Sequence, residues 1–368
     1  MIMAGLYIHI PFCAKKCAYC DFISFAGGGE EEEYINAVIK EMNGERPQNI
    51  ETVFIGGGTP SYISSGGIIR LLDAANERFY IQKDAEITIE ANPYSLSAEK
   101  LEAYKAAGIN RLSIGLQSAM ERELKMLGRL HDFNCFERVY NEAREKFDNI
   151  NIDLISSLPG QSCGDFMYTL ERAAGLRPEH ISVYSLIIND NTPLGQRIRR
   201  GELEPVSEEE DRAIYHQTEK YLKNEGYARY EISNYALAGR ECRHNLNYWL
   251  GGDYIGLGCA AHSFMRGQRY HNSENLKDYI KAPQIKQEVQ SLSLEDRRFE
   301  CIMLELRLIS GIERKRFKSR FGADIYELYT AVINQLIEGG FLELTPVSLK
   351  LTERGLDVAD SVILKFMD

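Results

Sequence analysis

The chain has 368 residues, of which 44% are hydrophobic and 26% charged, near the averages of globular domains. That excludes a disordered chain and fits about two domains, or one barrel with an appendage. With 43 Lys and Arg against 54 Asp and Glu the net charge is −11, which argues against sequence-independent nucleic-acid binding and against docking on an anionic membrane.

The chain opens MIMAGLYIHIPFCAKKC, without a basic leader region or a small-residue cleavage site, and no apolar run reaches the ~18 residues of a membrane span. A cytoplasmic protein is expected. Six apolar, β-branched runs read as strands: 6–10 (LYIHI), 52–55 (TVFI), 86–90 (EITIE), 111–115 (RLSIG), 151–155 (NIDLI) and 181–186 (ISVYSL). Between them, 32–42, 67–79, 98–107, 135–147 and 166–176 place apolar residues at helical spacing. Ser97 and Gly108 mark the start and stop of one such helix.

Six strand–helix units predict a parallel α/β sheet, and since six falls short of eight, a partial (β/α)6 TIM-like barrel. The unusual residues follow the strands: 11–20 after the first, GGGTP (56–60) after the second, EANP (90–93) after the third, GLQS (115–118) after the fourth and LPGQ (158–161) after the fifth. Chemistry at the C-terminal ends of parallel strands is the expectation for such a fold.

Beyond about residue 190 the pattern changes. A charged helix is expected over 208–225, then YEISNYA (230–236) and a block rich in Gly, His and aromatics over 242–264. From 294 the chain reads as helical, ending in two short strands and a last helix, a winged-helix-like pattern. The expected division is 1–235 for the barrel, 236–290 for a connecting region and 291–368 for a C-terminal helical domain. RKRFKSR (314–320) reads as a solvated helix face, since the tail shows no excess of basic residues.

Of eight cysteines, three lie in the first twenty residues, as Cys13-x3-Cys17-x2-Cys20. Three thiols so close would leave one odd cysteine if they paired, but they can hold a soft metal centre. No fourth ligand lies within sequence reach, as structural zinc would need. Three thiolates on a four-iron cluster leave one iron open. This spacing, with Tyr19 before the third cysteine, resembles the signature of the radical S-adenosylmethionine superfamily. The resemblance implies a [4Fe–4S] cluster whose open iron chelates S-adenosylmethionine, and a 5′-deoxyadenosyl radical after reductive cleavage.

The residues at the other strand ends suit a ligand. Gly56, Gly57 and Gly58 permit close backbone approach and expose N–H groups. Glu90 and Gln117 offer polar side chains, Arg129 a partner for a carboxylate, and Asp153, inside an apolar strand, needs a partner of its own. YIHIPFCAKKCAYCDF, FIGGGTPS, ITIEANP, RLSIGLQS and NIDLISSLPGQ resemble a narrower family, the oxygen-independent coproporphyrinogen III dehydrogenase-like proteins, over nearly the whole chain. By motif position the resemblance puts S-adenosylmethionine contacts at Tyr7, Tyr19, Gly57, Gly58, Thr59, Glu90, Gln117, Arg129 and Asp153.

Two departures point within that family. The dehydrogenase has a further cysteine where this chain has Phe22, and an extension ahead of its cluster motif. HNLNYW (244–249) matches the HNxxYW pattern of the family's heme-chaperone branch. That branch implies a protein that binds heme and delivers it to haemoproteins, respiratory and membrane-bound ones among them, with room for a homodimer, while the acidic charge balance leaves no nucleic-acid partner expected. His244 would then be the heme iron ligand, Asn245 would fix its tautomer, and Tyr248 and Trp249 would pack on the porphyrin, with Cys242 as a softer ligand. The alternative is the dehydrogenase itself, making protoporphyrinogen IX by radical decarboxylation. Of the other histidines, His131, His180, His216, His262 and His271 are unpaired at any ligand spacing, and His9 faces either the barrel or the cluster.

Overall fold

A computed structural model describes residues 3–367. The six expected strands are β1 (Met3–Ile10), β2 (Asn49–Gly57), β3 (Tyr80–Ala91), β4 (Arg111–Gln117), β5 (Ile150–Ser156) and β6 (His180–Ser185). They pair in chain order and all run parallel. β1 and β4 are buried almost without interruption, because a parallel sheet is covered on both faces. This is why the strands read as apolar runs rather than as alternating patterns.

The crossovers are α1 (Glu31–Gly44), α2 (Ser65–Arg78), α3 (Ala98–Ala106), α4 (Glu121–Leu127) with α5 (Phe133–Arg144), and α6 (Cys163–Gly175). Side chains satisfy the free N–H groups at several of their starts. Ser97 accepts from the Lys100 N–H, and Ser162 and Asp165 form a reciprocal capping box, worth about 1 kcal/mol of helix stability. α7 (Glu208–Asn224) follows where a charged helix is expected.

The sheet does not stop at six strands. On the β6 edge it gains β7 (Ala228–Arg229) and β8 (Asn234–Ala236), both antiparallel. After α8 (Arg243–Trp249), β9 (Asp253–Leu257) lies parallel to β1 on the opposite edge. β10 (His262–Met265), β11 (Gln268–His271) and β12 (Gln287–Ser291) extend that edge antiparallel. The strand order runs from β12 through β1 to β6 and ends at β7, so the barrel stays open. The sequence pattern predicts no strand in the block that holds β9. DYIGL is short, and glycines flank it on both sides.

One apolar core runs from Ala4 to Tyr279, and a second from Cys301 to Phe366. The second belongs to α9 (Leu294–Glu305), β13 (Ile312–Glu313), α10 (Arg314–Phe321), α11 (Thr330–Glu338), β14 (Leu342–Leu344) and β15 (Ser348–Leu351), the last two antiparallel. The expectation of a solvated RKRFKSR face holds for Lys315, Lys318 and Ser319, which are exposed, but not for the other residues. Arg314 pairs with Asp324, Arg316 with the buried Glu305, Arg320 bonds to the Leu250 and Gly251 carbonyls, and Phe317 is buried. Among the described residues no helix is long and apolar enough to cross a membrane.

Candidate cluster and cofactor site

The loop after β1 carries the three cysteines over the C-terminal ends of the parallel strands. It is tied down by backbone: the Gly58 and Thr59 N–H groups donate to the Ile10 and Phe12 carbonyls, and the Ala18 N–H to that of Leu127. Cys13, Cys17 and Cys20 are unpaired thiols lining one cavity of about 410 Å³. Among the described residues, no three His, Cys, Asp or Glu side chains converge tightly enough for a single ion. The thiols border a space instead, which suits a group of several atoms better than one metal. Burial pushes the Cys13 and Cys20 thiols up, Cys20 to about 11, so loading a metal centre here must displace their protons. The Cys13 Sγ lies 3.3 Å from Thr59 Oγ1, and Arg129 Nη1 donates to Cys17 Sγ at 3.6 Å.

The same cavity collects most of the other expected residues: Tyr19, Gly57, Gly58, Thr59, Glu90, Gln117, Arg129 and Asp153. Gln117 ends β4 in the left-handed region, φ 71°, at a register shift between β4 and β5. Gly115 makes room for it. A β-carbon there would stand 2.6 Å from Gln117 Nε2 and 3.2 Å from Arg129 Nη2. Arg129 also donates to the Gly115 carbonyl, while its Nε is buried without a partner, a donor left over for an anionic group.

Glu90 accepts the Gly57 N–H at 3.0 Å. Asp153 accepts from Ser113 and Asn151, both at 2.8 Å. Burial, and for Glu90 also the nearby Asp153, raises both carboxyls, Glu90 to about 8. Two acids so placed favour a cationic ligand. Together with the unpartnered Arg129 Nε they fit a zwitterion that also carries a positive centre, which is the charge pattern of S-adenosylmethionine. Sequence reasoning missed Ser113 and Asn151, small polar residues whose role exists only once β4 and β5 are paired.

Two expectations about this site need correction. The N–H groups of Gly57, Gly58 and Thr59 are all used within the protein, so the glycine run does not expose them to a ligand. Its glycines serve close packing instead. Tyr7 lies outside the cluster cavity: its hydroxyl bonds to His9 Nδ1 at 2.9 Å, and it borders a second cavity of about 560 Å³. Asp21 and Phe22 line both cavities, so the two adjoin at the residue where the sequence lacks a cysteine.

The HNLNYW segment forms α8, lying against β1, β2 and β9. His244 is buried, its Nδ1 2.8 Å from Thr52 Oγ1 and its Nε2 2.9 Å from the Tyr248 hydroxyl, with its ring stacked on Phe54. Burial and the Arg111 charge push it down to about 3, so the ring is neutral. Neither ring nitrogen is free for an iron in this arrangement. The Cys242 thiol is likewise buried and faces the Glu86 carboxylate. Asn245 is half-buried and borders neither cavity; Trp249 lies under the Arg307 guanidinium at 5.9 Å. Of this motif only Tyr248 borders the second cavity.

A family model described as the radical SAM superfamily matches residues 7–173, and one for the HemN C-terminal domain matches 292–358. Curated relatives match from end to end. The heme chaperone HemW of Bacillus subtilis is 36% identical over 99% of both chains, and that of Escherichia coli 35% identical over 99% of this chain and 98% of its own. The chain belongs to the HemW family of the radical SAM superfamily. Family membership agrees with the cysteine spacing and with HNLNYW. Among solved structures, coproporphyrinogen III oxidase (HemN) from E. coli superposes with a TM-score of 0.87 over 99% of this chain and 90% of its own, at 23% identity. That likeness fixes the fold of a HemW-family chain, an open α/β barrel with a helical C-terminal domain.

Proposed function

We propose that this chain is a heme chaperone, binding heme and passing it to acceptor haemoproteins. Its scaffold carries a [4Fe–4S] cluster on Cys13, Cys17 and Cys20 and takes S-adenosylmethionine against Glu90, Gln117, Arg129 and Asp153. When bound, such a cluster supplies an iron left open for a small-molecule chelate and a source of single electrons. The protein's own residues orient the ligand and shield it. Arg129 meets its carboxylate, Glu90 and Asp153 its positive groups, and Tyr19, packed beside Leu127 and Ile155, closes one wall.

Phe22 carries the reading. It stands on the border of the two cavities, where the dehydrogenase would have another thiol, and an apolar ring there brings no further ligand or proton donor. The full-length relatives, named as heme chaperones, support the same reading. A cytoplasmic setting, respiratory acceptors, membrane-bound ones among them, and a homodimeric assembly belong to this proposal.

One anaerobic experiment tests it. The cluster is reconstituted, hemin is titrated into one portion, and coproporphyrinogen III with S-adenosylmethionine and a reductant is given to another. Hemin binding without protoporphyrinogen is the expected result. Porphyrin product with stoichiometric 5′-deoxyadenosine would turn the assignment to the dehydrogenase, which the shared fold keeps as the second reading.

A further inference from the structure

The second cavity, of about 560 Å³, lies between the β1–β9–β10 edge of the sheet and the C-terminal helices α9 and α10. Its volume falls within the roughly 300–1,000 Å³ of small-molecule sites. Nothing in the cluster chemistry above uses it, and its lining has a pattern of its own.

One wall is aromatic and continuous. Tyr248 meets Tyr254 edge to face at 4.6 Å, and Tyr254 leans on Phe264 at 6.5 Å. A flat conjugated ring system is what such a wall takes up well. The cavity is also basic, although the chain carries a net charge of −11. Arg269 is neutralised by a bidentate pair with Glu300, at 2.6 and 3.0 Å. Arg297 and Arg320 form no such pair, although both charges act on the nearby Asp253 carboxyl, which accepts the Arg266 N–H. Arg297 makes no side-chain hydrogen bond or ion pair among the described residues, and its Nε is buried without a partner. Arg320 donates to the backbone carbonyls of Leu250 and Gly251 and lies over the Phe321 ring at 5.4 Å. The remaining carboxylate of the lining, Asp21, stands at the border with the cluster cavity. Two guanidiniums outside any side-chain ion pair, beside an aromatic wall, describe a site for a flat apolar molecule with two carboxylates.

The same cavity holds a histidine with nothing to do. His9, His131, His180, His216, His244 and His271 each have at least one ring nitrogen engaged by a hydrogen bond or an ion pair. His262 has neither among the described residues. Its ring is exposed in the cavity wall and only stacks on His271 at 5.1 Å. A neutral imidazole with a free lone pair is the ordinary protein ligand of heme iron.

We propose that heme seats in this second cavity, with His262 as its iron ligand, Arg297 and Arg320 as partners of the two propionates, and Tyr248, Tyr254 and Phe264 along the macrocycle. This rests on the heme-binding reading above and moves the ligand from His244 to His262. His244 becomes a positioning residue: its Nε2 holds the Tyr248 hydroxyl, which fixes one panel of the aromatic wall. The site also borders the cluster cavity at Phe22, so bound heme would lie next to the cofactors without entering their space.

The test is hemin titration into the full, cluster-reconstituted chain, followed in the Soret and visible bands, for the wild type, His262→Gly, His244→Asn and Arg297→Ala. Circular dichroism checks that each variant is folded. His262→Gly should lose the ligand-field bands and weaken binding about tenfold or more, and added imidazole should restore the bands. His244→Asn should keep the wild-type iron spectrum. Arg297→Ala should lose most of the preference for hemin over its dimethyl ester, which lacks the propionate charges. If His262→Gly keeps the wild-type spectrum, or His244→Asn alone changes it, the site assignment is wrong while heme binding stands. If the wild type takes up no hemin, the chaperone reading falls and the site with it.

Discussion

A β-carbon on Gly58 would lie 3.1 Å from the Cys13 sulfur and 2.9 Å from the Phe12 carbonyl oxygen. The glycine run after β2 is therefore the bed on which the cysteine loop rests. The distance to the backbone oxygen is shorter than real β-carbons tolerate, so the loop, and with it Cys13, must shift if a side chain is added. Gly58→Ala should cost about 1–3 kcal/mol of overpacking strain and should lower iron content after reconstitution while leaving the rest of the fold intact. Iron and sulfide analysis with circular dichroism would check this. Full cluster occupancy in Gly58→Ala would show that the loop is not seated as described.

The cysteines themselves divide sharply by environment. Cys13, Cys17 and Cys20 share the cluster cavity, whereas Cys135 and Cys163 sit at the starts of α5 and α6, and the buried Cys301 faces Glu305 within α9. Alanine at any of the first three should abolish the iron–sulfur absorbance of the reconstituted protein. Alanine at Cys135, Cys163 or Cys301 should leave it unchanged. An unaltered spectrum in Cys17→Ala would remove the assignment.

The contrast between these sites shows what a sequence carries. The cysteine loop, Glu90, Gln117 and Asp153 were legible because each lies at a fixed offset from an apolar strand, and parallel strands bring their C-terminal ends together whatever the helices between them. Tyr7 borders the second cavity rather than the first, with its hydroxyl tied to His9, and no local pattern tells which of two adjoining cavities a β1 side chain lines. The setting of His244 is hidden in the sequence for another reason. Its partner Thr52 lies 192 residues away, on a strand it meets only through α8. His262, Arg297 and Arg320 come from β10, α9 and α10. No local pattern announces a cavity that three distant elements assemble.

The burial of His244 predicts a stability effect. Its two ring nitrogens face Thr52 and Tyr248, and Phe54 stacks on the ring, so His244→Ala removes packing and leaves two hydroxyls without their partner. A loss of roughly 3 kcal/mol in urea unfolding is expected. The imidazole's low pKa adds a pH term. Held at about 3 in the folded protein against 6.5, it stays neutral where the unfolded chain binds a proton, so its contribution is complete above 6.5 and is lost as pH falls toward 3. His9, lowered to about 4, acts in the same direction. A His244→Asn variant should therefore show a shallower loss of stability between pH 6.5 and 4 than the wild type. An unchanged acid limb would mean that the ring is not buried as described.

Glu90 sets the opposite slope on the alkaline side. Burial, with the neighbouring Asp153, raises its carboxyl from 4.5 to about 8, so between these values the folded chain holds a proton that the unfolded chain has released. Stability then falls as pH rises through that window: the favourable proton is fully counted below 4.5 and gone above 8. Asp153, also raised, adds to the decline. Glu90→Gln keeps an acceptor for the Gly57 N–H but cannot ionise. Urea unfolding of the ligand-free chain at pH 5, 6.5 and 8 should show the wild type weakening across the series and the variant weakening less, with the largest gain at pH 8. Binding of S-adenosylmethionine should run the other way. Its positive groups favour the carboxylate, so Glu90→Gln should bind it more weakly even while the ligand-free protein is more stable. A variant that gains stability at pH 8 and keeps full affinity would separate the buried acid from the ligand and exclude Glu90 from the binding site.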